Sequence, residues 1–155
     1  MLKTNVMRIL EQNKITYNAY DYSQSTAISG MDVATFLRED PNKVFKTIVT
    51  ISNTNNYYVF MLPVNKELDF KKCEKVTGEK SIGMLKTSLL LGLTGYIHGG
   101  CSPIGMKHKF RTFIDSEAQN HDKIIFSAGK VGYQVEIALN DLKKIINIEI
   151  NNVTN

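Results

Sequence analysis

The chain has 155 residues, 43% of them hydrophobic, enough for one compact core and too few for two. Its apolar runs are short, Leu89 to Leu93 being broken by Gly92, so nothing approaches the roughly 20 residues of a membrane-crossing helix, and the opening Met1 to Arg8 lacks the pattern of an export signal. A net charge of +4 permits an anionic partner without specifying one, because the lysines are spread along the chain.

These features lead to the expectation of one cytoplasmic domain over residues 1–150, with a frayed tail at 151–155 that has little to bury. Cys73 and Cys101 stand alone, with no Cys-x-x-Cys partner, and read as free thiols. The histidines His98, His108 and His121 form neither His-Glu-x-x-His nor a short-range cluster, so no metal and no cofactor is expected.

Residues 4–13 place Val6, Ile9 and Leu10 on one side and Arg8, Glu11 and Gln12 on the other, the pattern of an amphipathic helix. An extended segment through Tyr17, Ala19 and Tyr22 follows. A second helical pattern, from Met31 to Leu37, runs towards Pro41, which cannot continue a helix. The β-rich runs Val44–Ser52 and Tyr57–Val64 are separated by Asn53-Thr54-Asn55-Asn56, residues that tolerate a tight turn, and so predict a hairpin. Asp69 can cap a short helix through Lys75 that Gly78 ends, and a helix around Thr87–Leu91 follows an extended stretch near Ile82. Beyond it, extended runs at Tyr96–His98, Thr112–Ile114, Ile124–Ser127 and Gln134–Ile137 alternate with glycine-bearing turns. Asn140 is then expected to cap a last helix containing Leu142, Ile145 and Ile146.

Three segments could carry chemistry. Lys46 lies within Val44-Phe45-Lys46-Thr47-Ile48-Val49, where its same-face neighbours at two-residue spacing are Val44 and Ile48. An ammonium on such a face either reaches a cleft or snorkels its head to the surface. Gly99-Gly100-Cys101-Ser102-Pro103-Ile104-Gly105 combines glycines that allow a ligand to approach the backbone with a proline that stiffens the turn, and it can equally be a sheet-linking loop. Ser127-Ala128-Gly129-Lys130-Val131-Gly132, with Glu136 beyond it, reads by itself as a hairpin turn. Cys101 and Ser102 suggest a nucleophile, but no histidine and carboxylate can be assigned as base and orienter, and Gly-x-Ser-x-Gly is missing.

In order and spacing these segments resemble the YbaK/EbsC family, within the larger group of prolyl-tRNA synthetase editing domains and their freestanding relatives. The strand around Lys46 resembles the family's strand with its functional lysine, and Gly99 to Gly105 resembles its Gly-x-x-x-Pro loop. Ser127 to Gly132 with Glu136 is similar to its Ser-Gly-Gly-Lys-Arg-Gly and following strand, although Ala128 and Val131 depart from it and Gln134 stands where cysteine-specific members carry aspartate. Leu10 to Ile15 and Tyr22 resemble the family's first helix and following tyrosine, so the likeness spans about residues 4–148.

The resemblance implies a mixed α+β fold, a curled, barrel-like sheet wrapped by helices. It implies an aminoacyl-tRNA deacylase that releases cysteine from mischarged Cys-tRNA(Pro), acting on the 3'-aminoacyl end of the tRNA, with prolyl-tRNA synthetase as a partner. Lys46 would be catalytic, and Tyr22, Thr47, Gly99, Gly100, Cys101, Ser102, Pro103, Ser127 and Gly129 would bind substrate. No strong protein nucleophile is required, because in cysteine-specific members the substrate's own thiol attacks its ester. The alternatives are a deacylase for Ala-tRNA or another small amino acid, and a non-catalytic tRNA- or partner-binding module of the same fold, consistent with a pI near 9.0.

Overall fold

A computed structural model describes residues 2–27 and 29–155. Helix α1 (Asn5–Gln12) is capped by Thr4, whose hydroxyl accepts from the Met7 N–H, and it buries Val6, Met7 and Leu10. Strand β1 (Asn18–Asp21) leads to α2 (Gly30–Leu37), which ends at Arg38 in the left-handed conformation, ahead of Pro41. The expected hairpin is β2 (Phe45–Ser52) with β3 (Tyr57–Pro63), turned through Asn55 at φ 61°. Helix α3 (Phe70–Thr77) has the Asp69 cap and the left-handed Gly78 end that its sequence predicts. Then come β4 (Ile82–Met84), α4 (Thr87–Thr94), β5 (Arg111–Asp115), β6 (Ile124–Ser127), β7 (Tyr133–Ile137), α5 (Leu139–Leu142) and β8 (Glu149–Asn151).

The class is α+β as expected, but the strands make two sheets that do not close into a barrel. One has the order β1-β7-β6 and the other β4-β2-β3-β5-β8. All pairs are antiparallel except β3 with β5 and β5 with β8. The sheets meet where Val44 bridges Ile125, the Ile125 N–H donating to the Lys43 carbonyl at 3.0 Å. Beside that seam, Glu136 accepts from Lys43 Nζ at 2.6 Å and Asn18 Nδ2 at 2.8 Å, linking the β1–β7 pair to the segment that enters β2. The main core packs α1 and the α5 region against β6 and β7 through Val6, Leu10, Phe126, Val135 and Leu142. A second core joins α3 to the five-stranded sheet through Phe60, Leu68, Cys73 and Phe113.

Three expectations need correction. Tyr96–His98 is not a strand: α4 ends at left-handed Gly95, the Tyr96 N–H donates to the Thr94 hydroxyl, and the Gly100 N–H closes a turn on the Ile97 carbonyl. The last helix stops at Leu142 and is not capped by Asn140, which lies inside it, while Ile145 and Ile146 pack on the core from turns in which both N–H groups donate to the Leu142 carbonyl. The tail is not frayed. Val153 is fully buried in the second core, and Asp115 accepts from the Val153 N–H and the Thr154 hydroxyl, each at 3.1 Å.

Candidate functional site

The site begins with an incomplete sheet edge. On one side β2 is paired with β3 along Phe45–Ile51, whereas on the other it meets β4 only at Thr50–Ser52 and β6 only at Val44. Val44 and Ser52 bond towards β3, so by strand alternation the main-chain N–H and C=O of Thr47 are directed to the open edge. Lys46 and Thr47 have side chains on opposite faces, yet both reach the gap because it lies at the strand's margin.

A cavity of about 440 Å³ fills this gap. Tyr22, Lys46, Thr47, Gly99, Cys101 and Ser127 line it, residues that lie as far apart in the chain as positions 22 and 127. The N-terminal turn of α2 and the apolar side chains Met84, Leu85 and Leu90 complete its wall. Two side-chain oxygens at this cavity, Thr47 Oγ1 and Gln134 Oε1, are buried and have no hydrogen-bond partner among the described residues. Buried polar atoms in folded proteins are nearly always satisfied, so these two oxygens mark the wall of the cavity as its least satisfied polar region. Gln134 is held in place by a bond from its amide nitrogen to the Tyr22 hydroxyl at 3.2 Å.

The remaining expected residues shape the site from behind and do not line the cavity. Gly100 is buried against the backbone of the β6–β7 turn: a Cβ there would stand 3.1 Å from the Val131 nitrogen and 3.4 Å from the Lys130 carbonyl carbon. Ser102 is fully buried and its hydroxyl accepts from the Ile104 N–H at 3.3 Å, which fixes the loop's turn. Pro103 borders a separate groove beside Ile104 and Ile146. Gly129 donates its N–H to the Ser127 hydroxyl at 3.1 Å and lies against Tyr96 and Val6.

Cys101 lines the cavity, but burial pushes its thiol up to about 12, so it is held protonated at neutral pH. Glu136 lies behind the wall. Burial works against its charge, but hydrogen bonds from Lys43 and Asn18 outweigh it and hold the carboxyl below the ordinary glutamate value. Among the described residues no group of three or more His, Cys, Asp or Glu could hold a metal ion, and no helix is long and apolar enough to cross a membrane.

Five polar members of the cavity's lining lie outside the expected set: Ser29, Glu67, Thr87, His98 and Gln134. His98 was read as a strand residue, and its place immediately before Gly99-Gly100 was the available signal. Gln134 was noted as a departure from a motif, whereas β7 presents it, 7% exposed, at the cavity.

Comparison with known proteins gives the arrangement a lineage. Residues 27–145 match the family model described as an aminoacyl-tRNA editing domain. A relative from Enterococcus faecalis, provisionally named Cys-tRNA(Pro)/Cys-tRNA(Cys) deacylase EbsC, is 42% identical over 153 residues, 98% of this chain and 93% of its own. A crystal structure of a protein described as hypothetical superposes with a TM-score of 0.87 at 17% identity, covering 97% of this chain and 99% of that one. The crystal structure of a proposed trans-editing enzyme for prolyl-tRNA synthetase superposes with a TM-score of 0.83 at 14% identity, covering 97% and 94%. At such identities the two structures speak for the fold alone.

Proposed function

The chain belongs to the family of aminoacyl-tRNA editing domains, and from that premise we propose that it releases cysteine from mischarged Cys-tRNA(Pro), with Lys46 as its catalytic residue. The observation that carries this reading is the cavity at the open edge of β2, where Lys46, Thr47, Gln134, Gly99 and Cys101 converge. Its volume lies within the ~300–1,000 Å³ range of small-molecule sites, suited to an aminoacylated terminal nucleoside. The Enterococcus relative's name supports cysteine and tRNA(Pro) as the specific substrate, and prolyl-tRNA synthetase is the partner this substrate implies. A charged tRNA substrate supports a cytoplasmic location.

An aminoacyl ester is already activated, so the protein must position it and stabilise charge more than supply a nucleophile. The protonated Cys101 thiol fits that division of labour. In the proposed reaction the substrate's thiol sulfur bonds to the ester carbonyl carbon and the bond to the ribose oxygen breaks. Cysteine leaves as a small cyclic thioester, which water opens, and the ribose oxygen departs with a proton. The Lys46 ammonium stabilises the oxyanion of the tetrahedral intermediate or a phosphate of the terminal nucleotide. Tyr22, Thr47, Ser127, Gly99 and Cys101 hold the aminoacyl group, while Gly100, Ser102, Pro103 and Gly129 set the loop that presents it. Intramolecular attack of this kind reaches effective molarities of about 10⁵ M or more when the geometry is right.

Neutral Gln134 at the cavity favours a second reading, in which another small amino acid such as alanine is the substrate. Release of labelled amino acid from Cys-tRNA(Pro), Ala-tRNA(Pro) and Pro-tRNA(Pro) separates the two. Cysteine is expected to leave fastest. Preferential release of alanine would transfer the assignment to the second reading, and release of none would leave a tRNA-binding module.

A further inference from the structure

Formation of the cyclic thioester requires the substrate thiol to lose its proton, and an ordinary thiol with a pKa of about 8.5 is only a few per cent ionised at pH 7. A group that exchanges protons near neutrality would accelerate this step. Of the three histidines, His121 is engaged by Glu117 at 2.8 Å, and His108 faces Phe110 in the separate groove. His98 alone lines the cavity. Its side chain is exposed, makes no hydrogen bond to a described residue, and projects from the turn that immediately precedes Gly99 and Gly100.

We propose that His98 is the general base of the deacylation, taking the proton from the substrate thiol and returning it to the departing ribose oxygen. This rests on the cysteine-releasing reading above. In the first step the S–H proton moves to the imidazole nitrogen while sulfur bonds to the carbonyl carbon. In the second the carbon–oxygen bond to the ribose breaks and the imidazolium proton passes to that oxygen, so charge and protons balance within one turnover. The titratable groups that share the cavity are Lys46 from β2, Glu67 after β3, Tyr22 after β1 and Cys101 from the loop, with Lys130 behind Gly100 on the β6–β7 turn. The buried, protonated Cys101 does not compete for the proton.

The test is the rate of cysteine release from Cys-tRNA(Pro) by wild type, His98→Asn and His108→Asn between pH 6.5 and 8.5, corrected for spontaneous hydrolysis. Over that range the ionised fraction of an ordinary thiol rises from about 1% to about half, which progressively replaces the base. His98→Asn is expected to lose at least tenfold in kcat at pH 6.5 with little change in KM, and to recover most of that deficit by pH 8.5. His108→Asn should follow wild type throughout. A deficit in His98→Asn that is the same at every pH, or a rate within twofold of wild type at pH 6.5, would overturn the proposal while leaving the deacylase reading intact. Failure of wild type to release cysteine would overturn both.

Discussion

Lys46 and Cys101 face the same cavity but are suited to different work. The strand alternation that puts Lys46 beside Val44 and Ile48 is legible in sequence, and so is the choice it poses between a cleft and a snorkelled surface position. The open edge of β2 decides it, and that edge exists because β4 and β6 meet β2 only at its two ends. Cys101 has the more conspicuous chemistry in the sequence, yet its surroundings raise the thiol to about 12. Cys101→Ala is therefore expected to retain deacylation within about fivefold of wild type, a bound far short of the ~10⁴-fold or greater loss that removal of a true nucleophile brings. Treatment of wild type with iodoacetamide should likewise leave the rate nearly unchanged. Gln134 could not be placed from sequence, because its importance lies in an unpartnered oxygen that only the packing of β7 against Tyr22 creates.

The loop from Gly99 to Gly105 shows what an element adds to its residues. Its glycines suggest close backbone approach to a ligand, but Gly100 instead approaches the backbone of the β6–β7 turn at Lys130 and Val131, so two segments distant in the chain brace each other. Gly100→Ala must push the Val131 nitrogen from 3.1 Å and shift the loop by a few tenths of an ångström. It should lower kcat/KM at least tenfold while costing only about 1 kcal/mol of stability in a urea titration, because catalysis feels a displacement that the core does not. Helices with strong capping signals, such as Asp69 with Gly78, were readable almost to the residue. The Tyr96–His98 segment was not: its β-like composition yields to a turn fixed by Thr94 and Gly95, and this tertiary context carries His98 to the cavity.

At the scale of the molecule, the Val44–Ile125 bridge joins two sheets that also share the main core through Phe45, Met61 and Ile114, and the Lys43–Glu136 pair at 2.6 Å stands beside that bridge. Glu136→Ala would leave the Lys43 ammonium without its carboxylate. The cost should be about 2–3 kcal/mol by chemical denaturation, somewhat below the ~3–5 kcal/mol of a fully buried pair because a quarter of the Lys43 side chain is exposed. The folded-state carboxyl of Glu136 titrates below its ordinary value of 4.5, so its stabilising contribution is complete above that pH and is lost as pH falls through the folded value. The gap in stability between wild type and Glu136→Gln should accordingly narrow on acidification below about pH 4.5. The tail closes the other end of the larger sheet. Its polar composition concealed two buried residues, Val153 and Thr154, and the hydrogen bonds that Asp115 accepts there. Deleting residues 153–155 is expected to lower Tm by several degrees, as loss of one buried aliphatic side chain costs about 2 kcal/mol or more.

The most direct measurement is single-turnover release of labelled cysteine from Cys-tRNA(Pro) by wild type and by a Lys46→Ala variant shown by circular dichroism to be folded. The account predicts release well above the spontaneous rate with wild type and at least a hundredfold loss in the variant, about 2.7 kcal/mol of transition-state stabilisation. Equal rates for the two proteins would contradict the placement of catalysis at the open edge of β2.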